Sequence, residues 1–457
     1  MSSTMRTFDG PDFLHDTPPR IMGSETEFTM QTRSMPDITQ LRALGTHTLC
    51  TIDDTYLWLE NGGLVYYDSA LERDQPVLEY ATPECSSADE LCLYEKAGER
   101  LALQVAREIV GNKTTHPLYK RTAYRDVYDS TGVQRLFESS IGHHENYSTP
   151  LLYTLYAHHA LASYLATRPI WSGAGIVTPT GFELSQRARA VSFLPQKHLD
   201  RVHHGLKTPI MYHNGRIEVR SGDGNMLPTA IRTKYAMTSL ILRLIEHELF
   251  PDSAIYWDEY TTQVASETAS AAPHEKPLSG TPSAIQQQTI IVRDALRFAE
   301  NNPVPPEELT AARQVQKILQ ALNATPSLVR AAQSIGPLTD WSAKLTRMHY
   351  AIGRSHWDHS RYTTMSLPAV YHDLSWEEVG NDTPSAHIEQ LVPGELDHAL
   401  HHPPHTRAKV RTDHVRSLAP DILGIQWNEI SFKGNVPDLR FSSAYFDHLD
   451  EQEALPA

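Results

Sequence analysis

Cysteine is scarce: the 457-residue chain has three, Cys50, Cys85 and Cys92, and no two of them form a C-x-x-C pair. A disulfide framework and a structural zinc knuckle are therefore not expected, and a reducing cytoplasmic setting is. Long apolar runs are missing as well. No stretch approaches the roughly 18 apolar residues that a membrane helix needs, so no membrane span is expected. The opening residues, MSSTMRTFDGPDF, have neither a basic n-region nor an apolar h-region, which argues against a secretory leader. Positive charge is in deficit, with 40 basic residues against 55 acidic ones and a net charge of −15. That balance speaks against nucleic acid or an anionic membrane as partner. It leaves magnesium-loaded nucleotides open, because a local carboxylate cluster can hold the metal.

What is present fits a folded globular chain: 40% of residues are apolar and 21% charged. The length suggests two or three domains. RIMGSETEF, residues 20–28, alternates loosely like a half-buried strand and sets Glu25 and Glu27 on one face. GGLVYYDSA is a second strand candidate that pairs Tyr66 with Asp68. VLEYATPEC is a third; it places Glu79 beside Ala81, with Thr82 and Glu84 at its end. Helical signals follow. Ser87-Ala-Asp-Glu90 reads as a capping box, and Leu91, Tyr94, Leu101, Val105 and Ile109 continue on one stripe. Another helix is expected from Pro228 to about Leu249, and further ones over 286–301 and 306–323. Residues 264–283, small, polar and punctuated by proline, read as a surface loop. Near Val392 the pattern breaks, so a boundary is expected there: a large domain over 1–391 and a small one over 392–457. The fold class is α+β, an antiparallel sheet with helices on one face.

Four acidic residues on early strands, Glu25, Glu27, Asp68 and Glu79, are the main chemical clue. Magnesium takes hard oxygen ligands, and inward-facing carboxylates are costly unless paired or metal-bound. Alternation alone leaves open whether these residues face a ligand or solvent. GHHENY offers His144 and Glu145, although such triplets are common on surfaces. Arg187, in LSQRA, could clamp a phosphate, yet a lone arginine is more often a structural ion-pair partner. Arg216, Glu218 and Arg220 alternate along RIEVR and run into a glycine turn, which marks either an exposed edge or a charged site. Among 24 histidines, His398, His401, His402, His405 and His414 crowd together around Pro403 and Pro404. Their irregular spacing favours a solvated, pH-sensitive linker over a zinc site.

The segments RIMGSETEF, NGGLVYYD, LEYATPEC, AGER, HHENY, SGAG, LSQRA, SGDGNM, YHDL, PPHTRA and IQW stand in the order found in the Pup ligase and depupylase family. They span residues 20 to 427, and on them the chain resembles that family. The resemblance implies a glutamine synthetase-like fold, a curved antiparallel sheet that cradles Mg-ATP, with a small C-terminal domain. It implies that the γ-carboxylate of a C-terminal glutamate on a Pup-like protein modifier is phosphorylated and joined to a lysine on a protein acceptor. The cofactors would be ATP and Mg2+. By the same resemblance Glu25, Tyr66 and Glu79 bind magnesium, Asp68 is catalytic, and Thr82 and Trp427 contact ATP. Arg187 and Arg407 are further nucleotide candidates, and Glu27, Glu145 and Glu218 further metal candidates.

Three departures from the family pattern stand out. Leu64 occupies the place of a nucleotide-contacting arginine, Glu218 that of a histidine, and the short MYHNG replaces most of a longer charged segment. The rival readings are a depupylase-type amidase, a small-molecule ligase and a degenerate binding protein. SGAG and GFELSQR lie nearer the amidase branch, but the ordinary spacing from Phe28 to Asn61 does not match that branch's long insertion. Intact Glu25, Asp68 and Glu79 oppose the degenerate reading.

Overall fold

The structure, a computed structural model, describes residues 19–30, 45, 47–52, 56–68, 77–110, 118–120, 127–128, 134–135, 141–151, 153–178, 181–188, 191, 209–213, 215–256, 260–269, 282–352, 391–418, 422–433, 438–440 and 455–456. The strands in chain order begin with β1 (Met22–Met30), β2 (Thr48–Ile52), β3 (Tyr56–Leu59), β4 (Leu64–Asp68), β5 (Val77–Ala81) and β6 (Leu118–Tyr119). A ribbon of β7 (Val127–Tyr128) and β8 (Gln134–Arg135) follows, then β9 (His143–Ser148). A second ribbon joins β10 (Ile176–Thr178) to β11 (Gly181–Glu183), before β12 (Ile210–His213) and β13 (Arg216–Val219).

Nine of these strands form one sheet in the order β12-β13-β9-β1-β5-β4-β3-β2, with β6 alongside β1. Every pairing in it is antiparallel. Because side chains alternate across a strand, the register sorts them into two faces. On one face lie Phe28, Val65, Leu78 and Tyr80, all buried against apolar residues of α1 (Ala88–Val110). Each such side chain contributes about 1.5–3 kcal/mol. Gly98 of α1 lets the Tyr80 ring lie flat on the helix, since a Cβ there would come 2.1 Å from the ring. Glu25, Glu27, Glu79 and Tyr66 belong to the opposite face. The capping signal is displaced by one residue. Ser87 Oγ accepts from the Glu90 amide at 3.0 Å, but the Glu90 carboxylate reaches the Ser86 amide, at 2.7 Å, rather than that of Ser87.

Behind the sheet, a helical layer comprises α2 (Leu155–Thr167), α3 (Pro169–Ser172), α4 (Pro228–Glu246) and α5 (Tyr260–Ala269). It continues with α6 (Ala284–Asn301), α7 (Pro306–Ala324), α8 (Leu328–Ile335) and α9 (Asp340–Ile352). Proline in the first turn opens α4 and α7, and a capping box of Ser283 and Gln286 opens α6. Part of the expected loop over 264–283 is the end of α5, which buries Val264, Ala265 and Thr268; residues 270–281 lie outside the described residues.

The histidine-rich stretch also departs from its linker reading, for it begins as α10 (Pro393–His401). Pro393 starts the helix, and Leu396 and Ala399 are buried in the same core as α2 and α4. His398 stacks on His402 at 4.3 Å between ring centroids, and His401 on His47 at 4.5 Å. The segment after the expected boundary at Val392 thus packs into the large core. Beyond it, α11 (Arg407–Leu418) precedes a four-stranded antiparallel sheet of β14 (Ile422–Ile425), β15 (Glu429–Phe432), β16 (Leu439–Arg440) and β17 (Leu455–Pro456). Val415, Ile425, Ile430 and Phe432 close over Trp58, Leu64 and Ala81, so this unit covers one end of the large sheet's open face. Among the described residues no helix is long and apolar enough to cross a membrane.

Candidate active site

Four neighbouring strands, β9, β1, β5 and β4, build the centre of the open face. The register places Glu27 and Tyr66 opposite Glu79, and Glu25 opposite His144. One donor atom each from Glu25, Glu79 and His144 lies within 4.8 Å of the others. His144 Nδ1 is 3.1 Å from Glu25 Oε2, and Asn146 Nδ2 donates to Glu25 Oε1 at 3.3 Å. The Tyr66 hydroxyl donates to Glu79; burial, with the charges of Glu79 and Glu25 beside it, pushes this phenol well above its ordinary range. Glu27 is buried next to the cluster. A Cβ at Gly142 would come 2.4 Å from His144 Nε2 and 2.8 Å from Glu27 Oε1, so glycine there makes room for both. Two carboxylates and an imidazole that share one small space suit a divalent cation, whose charge offsets their mutual repulsion.

Asp68 ends β4 opposite Val77, two residues after Tyr66 on the same strand. Thr82 Oγ1 accepts from the Ser24 amide at 2.9 Å, which fixes the start of the chain's descent from β5. Trp427 meets Trp58 edge to face at 5.0 Å, at the end of the open face covered by the C-terminal unit.

Other expected site residues lie elsewhere. Glu145 is one position from His144 and therefore points to the opposite face, fully buried among the helices. It receives Arg168 Nη1 at 2.9 Å, Arg168 Nη2, and the Tyr147 hydroxyl at 2.7 Å. Burial alone would raise its carboxyl, but the Arg168 guanidinium holds it below the usual range. It is a sealed structural ion pair, and a metal-ligand role for it is corrected by strand parity. Arg187 is buried too. Its guanidinium donates to the carbonyls of Ile141 and Arg220, the latter at 2.6 Å, while its amide donates to Asp223 at 3.0 Å. That engagement replaces the expected phosphate clamp. Glu218 sits on the open face opposite Asn146, with Oε1 3.5 Å from His144 Nδ1. It borders the three-residue cluster without joining it. Arg407 is held by Glu84 at 2.9 Å rather than projecting into the open face.

Sequence reasoning passed over Arg411. This buried side chain donates to both oxygens of Glu84 at 2.8 Å and to the Trp427 carbonyl at 2.9 Å. Its guanidinium carbon lies 4.8 Å from the Trp58 ring and 5.0 Å from the Trp427 ring. Burial would raise the Glu84 carboxyl; the charges of Arg411 and Arg407 outweigh it and bring it down to about 2. The helical spacing of Arg407 and Arg411, four residues apart, was the available signal.

A family model described as Pup-ligase protein matches residues 40–431. The Pup--protein ligase of Acidimicrobium ferrooxidans is 27% identical, over 87% of this chain and 89% of its own length. The Pup deamidase/depupylase of Mycolicibacterium smegmatis is 24% identical, over 82% of this chain and 74% of its own. Among solved structures, the ligase PafA in complex with the prokaryotic ubiquitin-like protein Pup superposes with a TM-score of 0.73 at 20% identity. That match covers 95% of this chain and 91% of the other. PafA in complex with ADP superposes at 0.66, also with 20% identity, over 86% and 88%.

Proposed function

The chain belongs to the Pup-ligase family, and from that premise we propose that it is an ATP-dependent ligase joining the γ-carboxyl of a modifier's C-terminal glutamate to a lysine amine. The observation that carries this reading is the convergence of Glu25, Glu79 and His144 on an open sheet face whose one end is roofed by Trp58, Trp427 and Arg411. We read Glu25, Glu79 and His144, with Tyr66 and Glu27 close by, as the holders of Mg2+. When bound, that ion would neutralise nucleotide phosphates, which leaves positioning and electrostatics as the main work of the protein. Trp427, half-buried against the buried Trp58, offers the apolar surface that a nucleobase needs. The modifier's carboxylate oxygen attacks the γ-phosphorus and ADP leaves; the lysine nitrogen then attacks the acyl carbon and phosphate leaves. Asp68 takes the proton from that amine as general base. The reading also places the enzyme in the cytoplasm, in line with three unpaired cysteines.

The amidase reading draws on a depupylase among the relatives and on the SGAG and GFELSQR segments. The geometry gives those segments a scaffold role. A single buried carboxylate, Asp223, accepts from the amides of Ala174, Gln186 and Arg187 and from the Ser185 hydroxyl, and so ties both segments to the GDGN turn. The spacing argument from Phe28 to Asn61 rests partly on residues 31–44, which lie outside the described residues. The deciding experiment supplies purified enzyme, Mg-ATP, a Glu-terminated modifier and a lysine-bearing acceptor, and follows conjugate by mass and ADP by assay. ADP release stoichiometric with conjugate is the expected result. Hydrolysis of a preformed conjugate with none ever made would assign the amidase direction instead.

A further inference from the structure

At the opposite end of the open face from the tryptophan roof, β13 and the residue just past it set Arg216, Glu218 and Arg220 at alternate positions. Glu218 has a side chain only 5% exposed, yet it is surrounded by cationic and polar groups. Its oxygens lie 2.5 Å from Arg220 Nε, 3.1 Å from His213 Nε2 and 4.0 Å from Arg216 Nη2. Two guanidiniums are thus arranged around the Glu218 carboxylate.

Those guanidiniums are not used up by it. The Arg216 and Arg220 side chains are 40% and 33% exposed, in a chain of net charge −15. Among the described residues Arg220 donates only through Nε, which leaves both terminal nitrogens of its fork without a partner. A guanidinium held by one edge presents the other edge to an incoming planar anion. The pair also connects directly to the central cluster. Glu218 lies 3.5 Å from His144, and Arg216 donates to Asn146, which in turn donates to Glu25.

We propose that Arg216 and Arg220, aligned by Glu218, form a carboxylate clamp that receives the α-carboxylate of the modifier's C-terminal glutamate. This rests on the ligase reading given above and deepens it. A C-terminal glutamate carries two carboxylates separated by its α-carbon and two methylenes. The strand order puts the cation-suited cluster between the aromatic end and the arginine end. Nucleotide then enters from β3 and β4, the acyl donor from β13, and the two meet at β1 and β5. Glu218, where the family pattern has a histidine, is the residue that turns two strand arginines into a directed pair.

The test uses the full-length protein with Mg-ADP and two peptides with the same Glu-terminated sequence, one with a free α-carboxylate and one with an α-carboxamide. Binding is measured by calorimetry for the wild type, Arg220→Gln and Arg220→Lys, with ADP affinity as the control for folding. The wild type should prefer the free acid by about 10-fold or more, as expected for loss of a charge-assisted hydrogen-bond pair. Arg220→Gln should bind the two peptides equally, and Arg220→Lys should fall between, with ADP affinity the same in all three. Equal binding by the wild type, binding of neither peptide, or an undiminished preference in Arg220→Gln would overturn the clamp. Conjugation assays separate the two proposals. A wild type that discriminates but forms no conjugate refutes ligation and keeps the clamp; one that conjugates the α-carboxamide as well as the acid refutes the clamp and keeps ligation.

Discussion

The two faces of the large sheet treat charge in opposite ways. On the helix side the buried carboxylates Glu95, Glu99 and Glu145 are closed into ion pairs. Glu145 grips Arg168, and Lys120 bridges Glu95 and Glu99 while donating to the Asn225 carbonyl at 2.7 Å. Gly222 leaves the space the first pair occupies, since a Cβ there would come 2.2 Å from Glu145 Oε1. On the open side Glu25, Glu79 and His144 gather with no lysine or arginine among them. Adjacent residues of one strand, His144 and Glu145, thus have different surroundings: one lies beside two carboxylates on the open face, the other is closed into an ion pair with Arg168. Buried charge is tolerated only where it is compensated, and a cation is the charge that the Glu25, Glu79 and His144 cluster suits.

That contrast can be broken most severely from the open side. Glu25→Ala or Glu79→Ala should lower phosphotransfer by at least about 10³-fold, and Asp68→Asn product formation by about 10²–10⁴-fold. The midpoint of thermal unfolding should hardly move, and chelation of divalent cations should abolish turnover in the wild type. Near-normal ADP release by both glutamate variants would remove the metal assignment.

The same substitution on the other face should do the reverse. Glu145→Ala strands the buried Arg168 guanidinium, at a cost of about 3–5 kcal/mol. Chemical denaturation should show that loss, while cation binding to whatever folded protein remains should match the wild type. If Glu145→Ala leaves stability unchanged and weakens cation binding, the parity argument fails.

The smallest effect probes the seam between the large sheet and the C-terminal unit. Glu84 has a carboxyl brought down to about 2 in the fold, against an ordinary value of 4.5. A depressed carboxyl stabilises fully above its unfolded value and loses that contribution as pH falls toward the folded one. Wild-type stability should therefore decline between about pH 4.5 and pH 2. Glu84→Gln should begin less stable at neutral pH and show a shallower decline across that window, as read by denaturation at several pH values.

The sequence by itself determined the α+β class, the strand that carries Glu25 and Glu27, and the starts of α4 and α7. These depend on local rules: alternation for strands, and proline at the first turn of a helix. It also determined kinship, because ordered motifs survive where overall identity is low. Two of its local readings failed for a shared reason. Small residues at 264–269 and histidines at 393–402 looked like loop, but Val264 and Leu396 are buried by helices remote in sequence. Only the tertiary structure decided which carboxylates matter at the site. Alternation says that His144 and Glu145 point apart; it cannot say which of them meets the helices. That depends on where α1, α2 and α4 pack, and on Arg168 and Arg411 arriving from elsewhere in the chain to neutralise Glu145 and Glu84. A carboxylate's role here is set by its partners, and the partners are brought to it by the fold.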